Sequence, residues 1–454
     1  MSKNLDMTTG SPAKLLLQFT LPTLAGNLLH QVYSITDSIV VGRYLGQTAL
    51  AAVGCTMPVV LLLAALMIGI NMGVGIVISQ QFGRKDYPGI RRAFVNSLYM
   101  GLLLSVVLVA AGLLLAEPIL RWMGTPEAPL QGAVTYLRIN FITTGCPLLY
   151  YLFSSAFRGL GDSKTALHCL IVSVAANVTL DILFVAVLGW GVAGSAWATA
   201  LAQGLSALFA AVLLYKKYPV MHLKREDLPF DPKLFGSITR LALPIALQSA
   251  FNNLGNLAAQ SAVNTFGEVT MAAYTAASRM GTLALMPLET IGSSLSVYAA
   301  QNHGAGKPHR IKAGIRASLL LALATGGVLG LGLLLGGRAL AGLFLAEPSP
   351  ALLAVVQDFL LITAVPGVLA GVMCVYQQVL RGVNLPNQSL VGGLMQLGSK
   401  IAVIALGAWV LHSLNIVWLA WPISFVAGTI VPYLTTRRYL AAHKEETETY
   451  LKAR

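Results

Sequence analysis

Charge is the scarcest property of this chain. Only 10% of its 454 residues are Asp, Glu, Lys or Arg, against roughly 25% in an ordinary soluble domain, and that deficit excludes a soluble globular enzyme. Cysteine is scarcer still. Cys55, Cys146, Cys169 and Cys374 stand inside apolar runs with no C-x-x-C spacing, which leaves neither a disulfide framework nor a zinc site. Gly-x-x-x-x-Gly-Lys-[Ser/Thr], His-Glu-x-x-His and Gly-x-Ser-x-Gly are missing, so no nucleotide motor and no catalytic constellation is encoded. No resident cofactor is expected. A cleavable leader is not expected either, because Lys3 and Lys14 precede an apolar run too long and too polar-studded for one.

What the chain has instead is hydrocarbon. Hydrophobic residues make up 56% and mean hydropathy is +0.73. The apolar runs exceed the roughly twenty residues that a helix needs to cross a bilayer core. Strand alternation is absent and lipid leaves no partner for free backbone groups, so helices are the spanning element. The net charge of +13 comes from cations placed between apolar runs, without the interleaved aromatics of a nucleic-acid surface. Twelve spans are expected near 13–41, 48–80, 92–117, 130–157, 164–188, 192–215, 236–264, 269–300, 312–337, 350–380, 387–411 and 415–439.

The cations test that count. With the N-terminus in the cytoplasm, 24 of the 30 Lys and Arg fall in cytoplasmic segments. Only Arg43, Arg121 and Arg338 fall outside, and Arg138, Arg279 and Lys400 lie within spans. One miscounted span scrambles this bias downstream, so it supports twelve spans with both termini cytoplasmic, in a plasma membrane.

The two halves repeat each other in parallel. Leu21-Pro22 matches Leu243-Pro244, and Gln80-Gln81-Phe82-Gly83 matches Gln301-Asn302-His303-Gly304. Ile90-Arg91 matches Ile311-Lys312, Leu115-Ala116-Glu117-Pro118 matches Leu345-Ala346-Glu347-Pro348, and Phe157-Arg158-Gly159 matches Leu380-Arg381-Gly382. The domains are therefore read as a six-helix bundle over 1–215, a charged, proline-containing linker over 216–235, and a second bundle over 236–454. Paired homologous bundles are the usual build of an alternating-access transporter.

Ionisable groups inside a span cost roughly 2.5–3.5 kcal/mol each on insertion scales, so each needs a reason. Asp37 lies near the outer end of the first span. Asp181 precedes the outer turn at Gly189–Gly191 by about two turns, and Thr199 follows it by about two turns. Hairpin geometry sets both roughly 10 Å inside the outer end at 1.5 Å per residue. Asn177 shares the face of Asp181 one turn deeper. Two carboxylates, an amide and a hydroxyl suit a hard monovalent cation such as sodium, or a shared proton, or else a structural hydrogen-bond cluster. The second half does not repeat them: Ala259 stands where Asp37 maps, and Lys400 near Asn177. Lys400 is either a fixed charge on the substrate path or one of a paired set.

Other polar residues have two readings each. Glu289 follows Pro287 in the eighth span and marks either a water-filled cavity or a kink with a capping carboxylate. Gln248, Asn252, Asn253, Asn256 and Gln260 recur at helical spacing on the seventh span, as cavity wall or as interhelical glue. Met67, Met72, Met280 and Met286 with Tyr33, Tyr136, Tyr150 and Tyr274 furnish either a pliable substrate surface or ordinary core. The candidate substrate cavity therefore comprises Tyr33, Asn252, Asn256, Gln260, Met286 and Glu289. His30 reads as a hydrogen-bonded structural residue. Gly69-x-x-x-Gly73-x-Gly75 and the pairs Gly326/Gly330 and Gly332/Gly336 allow close helix packing.

In its ordered motifs the chain resembles the multidrug and toxic compound extrusion family. The carrying residues are Asp37-Ser38-Ile39-Val40-Val41-Gly42, Gln80-Gln81-Phe82-Gly83, Phe157-Arg158-Gly159-x-Gly161-Asp162-x-Lys164 and Asn177-x-x-x-Asp181. The resemblance implies two V-arranged six-helix bundles in a monomer, and export of lipophilic, often cationic, small molecules against a proton or sodium gradient. The hydropathy and the cation placement make membrane lipid the surroundings and leave no nucleic-acid partner expected. The family's coupling residues land on Asp37, Asn177, Asp181 and Thr199. In one respect the chain departs: Asn252 stands where a branch of that family carries an acid, which argues against a cation site of that type in the second bundle. Superfamily relatives that flip lipid-linked or polysaccharide precursors supply the alternative.

Overall fold

The computed structural model describes residues 5–344, 349–364 and 367–443. The repeat at Leu345-Ala346-Glu347-Pro348, and the charge assignments of Lys3, Lys444, Lys452 and Arg454, lie outside the described residues. Within them every regular element is a helix.

The first helix, α1 (Pro12–Arg84), is two spans read as one. It breaks at Gly46, where φ is 78° and ψ is −173°, a conformation only glycine adopts without strain. Then come α2 (Tyr87–Trp122), and α3 (Glu127–Ile142) with α4 (Gly145–Gly159), which form the fourth span interrupted at Thr143-Thr144. Next are α5 (Ser163–Asp181), prolonged by a π turn at Ile182–Val187, and α6 (Gly191–Lys217). The linker leads to α7 (Pro232–Asn264), α8 (Glu268–Gly304) and α9 (Pro308–Phe344). The tenth span is α10 (Pro350–Ala364) with α11 (Gly367–Gly382), and α12 (Pro386–Ala405) ends in a second π turn at Leu406–Val410 before α13 (Leu414–Ala442). By length and composition alone eight of these helices qualify as spans, or nine with α10 and α11 taken together. The stretches 12–45, 127–159 and 268–304 complete the twelve; they fall short because breaks or polar residues interrupt them.

The chain divides into two compact units. One is built on Leu21–Ala246, and the other joins Met7–Thr20 to the chain from Leu247 onward. The division is offset from the sequence repeat. The first turns of α7 pack with the first unit because Gly69 and Gly73 admit them: a Cβ on Gly69 would lie 2.5 Å from the Ala242 carbonyl oxygen and 2.6 Å from the Ala246 Cβ. The segment Met7–Gly10 is tied into the second unit. Gln301 Oε1 accepts from the Met7 amide at 3.0 Å, Asn302 Nδ2 donates to the Met7 carbonyl at 3.0 Å, and Arg310 donates to the Gly10 carbonyl at 3.0 Å.

Several motif residues have structural work at the ends assigned to the cytoplasm. Asp162 caps α5, accepting from the Thr165 amide at 2.9 Å and from Lys217 Nζ at 2.6 Å, with Tyr218 donating to the same carboxylate. Gly161 precedes it at φ 83°, and a Cβ there would strike the Leu5 carbonyl. The linker is pinned to α2. Arg91 Nε meets Asp227 Oδ2 at 2.6 Å, Tyr99 donates to the Leu228 carbonyl at 2.6 Å, and the Asp231 amide donates to Asn96 Oδ1 at 2.9 Å.

Candidate functional site

Two acidic residues of the first unit, Asp37 on α1 and Asp181 on α5, come together with polar residues of α6. Ser195 Oγ on α6 donates to Asp37 Oδ1 at 2.9 Å. One turn along, Thr199 Oγ1 lies 3.1 Å from the Tyr33 hydroxyl and accepts from Asn177 Nδ2 at 3.3 Å. Asp181 sits at the junction of α5 with its π turn, 1% exposed, within electrostatic reach of Asp37. A π turn re-aims side chains and recurs at functional sites. Tyr33 and Tyr136 lie within electrostatic reach of both carboxylates.

Its hydrogen bonds do not close. Both carboxylate oxygens of Asp181 and the amide oxygen of Asn177 are buried and accept no hydrogen bond from the described residues. A buried charge without a partner costs several kcal/mol, so these three acceptors call for a positive species. A proton on one carboxyl, or a small cation bridging them, meets that requirement.

The second unit fills the same place with apolar groups. Its π turn repeats that of the first unit bond for bond. Leu188 N to Leu183 O recurs as Leu411 N to Leu406 O, and Trp190 N to Phe184 O as Ser413 N to Gly407 O. That register carries Asn177, Asp181 and Ser195 onto Lys400, Ile404 and Trp418. Ile404, Trp418 and Ala259 all belong to one buried apolar core. Tyr274 stacks on Trp418 with centroids 5.7 Å apart, and Phe359 meets it edge-on at 4.9 Å.

The remaining predicted residues separate. On α7, Gln248 is buried among Gln377, Arg381 and Ser389, a polar knot within the second unit. Asn252 and Asn256 are exposed, and Gln260 donates to Asn264 at 2.9 Å. Lys400 is 7% exposed, donates to Asn256 Oδ1 at 2.8 Å, and lies 4.6 Å above the Trp421 ring. No carboxylate within salt-bridge distance of it is found among the described residues. Glu289 is solvent-accessible in α8 and within electrostatic reach of Arg381. Met286, Met67, Met280, Tyr136, Tyr150 and Tyr274 are buried packing residues. His30 meets Tyr33 edge-on, centroids 5.6 Å apart. The sequence reading missed Ser195. Its signal was its spacing, one helical turn before Thr199 on the same face of α6.

Comparison with known proteins agrees with this architecture. The MatE family model matches residues 22–183 and again 244–406, one copy per half. A probable multidrug resistance protein of Bacillus subtilis, YoeA, is 34% identical over 336 residues, covering 72% of this chain and 73% of that protein. A protein of Shewanella oneidensis named as a FAD transporter is 25% identical over 441 residues, covering 96% of each. Among solved structures, a MOP superfamily transporter from Pyrococcus furiosus superposes with a TM-score of 0.90 at 23% identity, covering 98% of this chain and 99% of that one. A MATE crystal structure in the bent conformation superposes with a TM-score of 0.91 at 23% identity, covering 99% and 100%. With its twelve spanning helices and a family match in each half, the chain belongs to the MatE family of membrane transporters.

Proposed function

We propose that the protein is a secondary exporter that expels lipophilic, cationic small molecules across the plasma membrane in exchange for a proton or sodium ion bound by Asp37, Asn177, Asp181 and Thr199. The observation that carries this reading is the trio of donor-less buried oxygens on Asp181 and Asn177. Loading changes the charge of the cluster by one unit and redirects the hydrogen bonds of Asp37 and Tyr33 on α1, which biases the access states of the transporter. A relative named as a multidrug resistance protein supports the substrate class.

A second reading concerns the cargo. The relative named as a FAD transporter, together with buried Lys400 lacking a carboxylate partner among the described residues, favours an anionic solute, and a lipid-linked precursor falls in the same class. Reconstitution into liposomes, with proton and sodium gradients imposed separately, tests both. Gradient-driven movement of a cationic dye supports the first reading. Movement of a flavin nucleotide or lipid-linked phosphate, with no dye transport, replaces it.

A further inference from the structure

The second unit has a groove that the duplication explains. The α8–α9 turn copies the α1–α2 turn at a shift of 221 residues. Lys85 and Gly306 both have positive φ, at 60° and 65°. The bonds Asp86 N to Gln81 O and Lys307 N to Asn302 O coincide as well. In that register Arg91, Val95, Asn96 and Tyr99 of α2 correspond to Lys312, Arg316, Ala317 and Leu320 of α9.

On α2 this surface is occupied: Arg91, Asn96 and Tyr99 hold the linker through Asp227, the Asp231 amide and the Leu228 carbonyl. On α9 the corresponding surface borders an open groove of about 690 Å³, lined by Lys312, Arg316, Ala317, Leu320 and Leu321, with Ser11 to Ala13 as the facing wall. That wall is held by the bonds from Gln301, Asn302 and Arg310 to Met7 and Gly10.

The changes in residue type indicate what fits there. The cation is kept as Lys312, and a second is added one turn along, Arg316 in place of Val95. Both are exposed, and no carboxylate lies within salt-bridge distance of them among the described residues. The side chains that gripped main chain are gone: Ala317 and Leu320 cannot hydrogen-bond a peptide as Asn96 and Tyr99 do. An anion receptor has been retained while the peptide hooks have become apolar wall. The cations stand at the end of α9 that the Lys and Arg distribution assigns to the cytoplasm, and Leu320 and Leu321 lie further along toward the membrane. We infer that this groove seats an anionic phospholipid of the cytoplasmic leaflet, its phosphate between Lys312 and Arg316 and its acyl chains along Leu320 and Leu321. A basic pocket at this level is the usual site of headgroup recognition.

The test uses the purified full chain, delipidated in neutral detergent and titrated with phosphatidylglycerol or phosphatidylcholine. Two quantities are followed: Tm and the acylation rate of Lys312. Phosphatidylglycerol alone should raise Tm and protect Lys312. Lys312→Gln with Arg316→Gln should weaken the Tm response to phosphatidylglycerol, raising the lipid concentration it needs by roughly tenfold or more, while Tm in phosphatidylcholine stays at the wild-type value. Equal protection by phosphatidylcholine, or an undiminished response in the double variant, overturns the inference. So does protection by inorganic phosphate at the same concentration, which would leave an anion site with no use for the acyl chains. If removing residues 444–454 exposes Lys312 and abolishes the response, that C-terminal segment, with Glu445, Glu446 and Glu448, is the occupant and the lipid is not. Should the double variant fail to fold, protection of wild-type Lys312 still decides.

Discussion

Asn177 donates to Thr199 at 3.3 Å across the α5–α6 hairpin, while its own amide oxygen, buried beside Asp181, has no donor. The pair is half satisfied. One amide N–H holds the hairpin, and the amide oxygen joins the two oxygens of Asp181 in the electron-rich pocket proposed to take a proton or cation.

Asp181→Asn removes the charge but keeps the shape. It should abolish gradient-driven accumulation in liposomes while Tm stays equal to or above wild type, because an unpaired buried carboxylate is costly and an amide is less so. Asp37→Asn should likewise uncouple transport. Normal concentrative transport by both variants would make the cluster structural.

Ser195 and Thr199 should give graded effects. Each supplies a neutral hydroxyl, so Ser195→Ala or Thr199→Ala should weaken the apparent affinity for the driving ion by roughly fivefold, the equivalent of about 1 kcal/mol. Initial rates against ion concentration read this directly. A loss as complete as that of Asp181→Asn would show instead that hairpin geometry is being reported.

The orientation has a direct check. Glu127, 81% exposed, and Lys224, 64% exposed, lie at ends that the cation distribution assigns to opposite sides. In intact cells a cysteine at 127 should react with an impermeant maleimide and one at 224 should not. The reverse pattern inverts the topology and places the carboxylate cluster nearer the cytoplasm.

Gly69→Val should destabilise the first unit by about 1–3 kcal/mol. Its Cβ would enter the space of the Ala242 carbonyl and Ala246, and a helix backbone cannot yield as a side-chain tip does. Thermal unfolding in detergent measures it, and an unchanged Tm would show that α7 does not pack there.

Asp162 gives the pH dependence. Burial alone raises its pKa, but hydrogen bonds from Lys217, Thr165 and Tyr218 outweigh burial and hold it below the usual carboxylate value. A depressed folded pKa contributes stability that is present above the unfolded value of about 3.9 and is lost as pH falls through the folded one. Asp162→Asn keeps an N-cap oxygen and discards the charge. Its Tm should lie below wild type at pH 7, with the gap closing under pH 4. A gap independent of pH would assign the effect to capping alone.

Hydropathy and cation placement were enough to read twelve spans, because both are local quantities that add up along a window whatever the neighbours are. The same additivity made Asp37, Asn177, Asp181 and Thr199 legible: helical rise fixes depth within a hairpin, and an acid in an apolar run is conspicuous without any partner being known. Span counting by apolar length alone misses 12–45, 127–159 and 268–304, where breaks and polar residues dilute a signal that the cation pattern restores.

Partners were beyond the sequence. That Ser195 serves Asp37 across 158 positions, that Lys400 turns to Asn256 and the face of Trp421, and that Trp418 and Ile404 occupy the place of Ser195 and Asp181 are decisions of packing. So is the different fate of two matched cations, Arg91 neutralised by Asp227 and Lys312 left facing an open groove. Each depends on which distant segment fills the space beside a helix, and a side chain's environment is set by that neighbour and not by its own position in a run. The repeat in the sequence made the two halves alike in backbone; only the tertiary structure decided that one closes around a charged cluster and the other around an aromatic core.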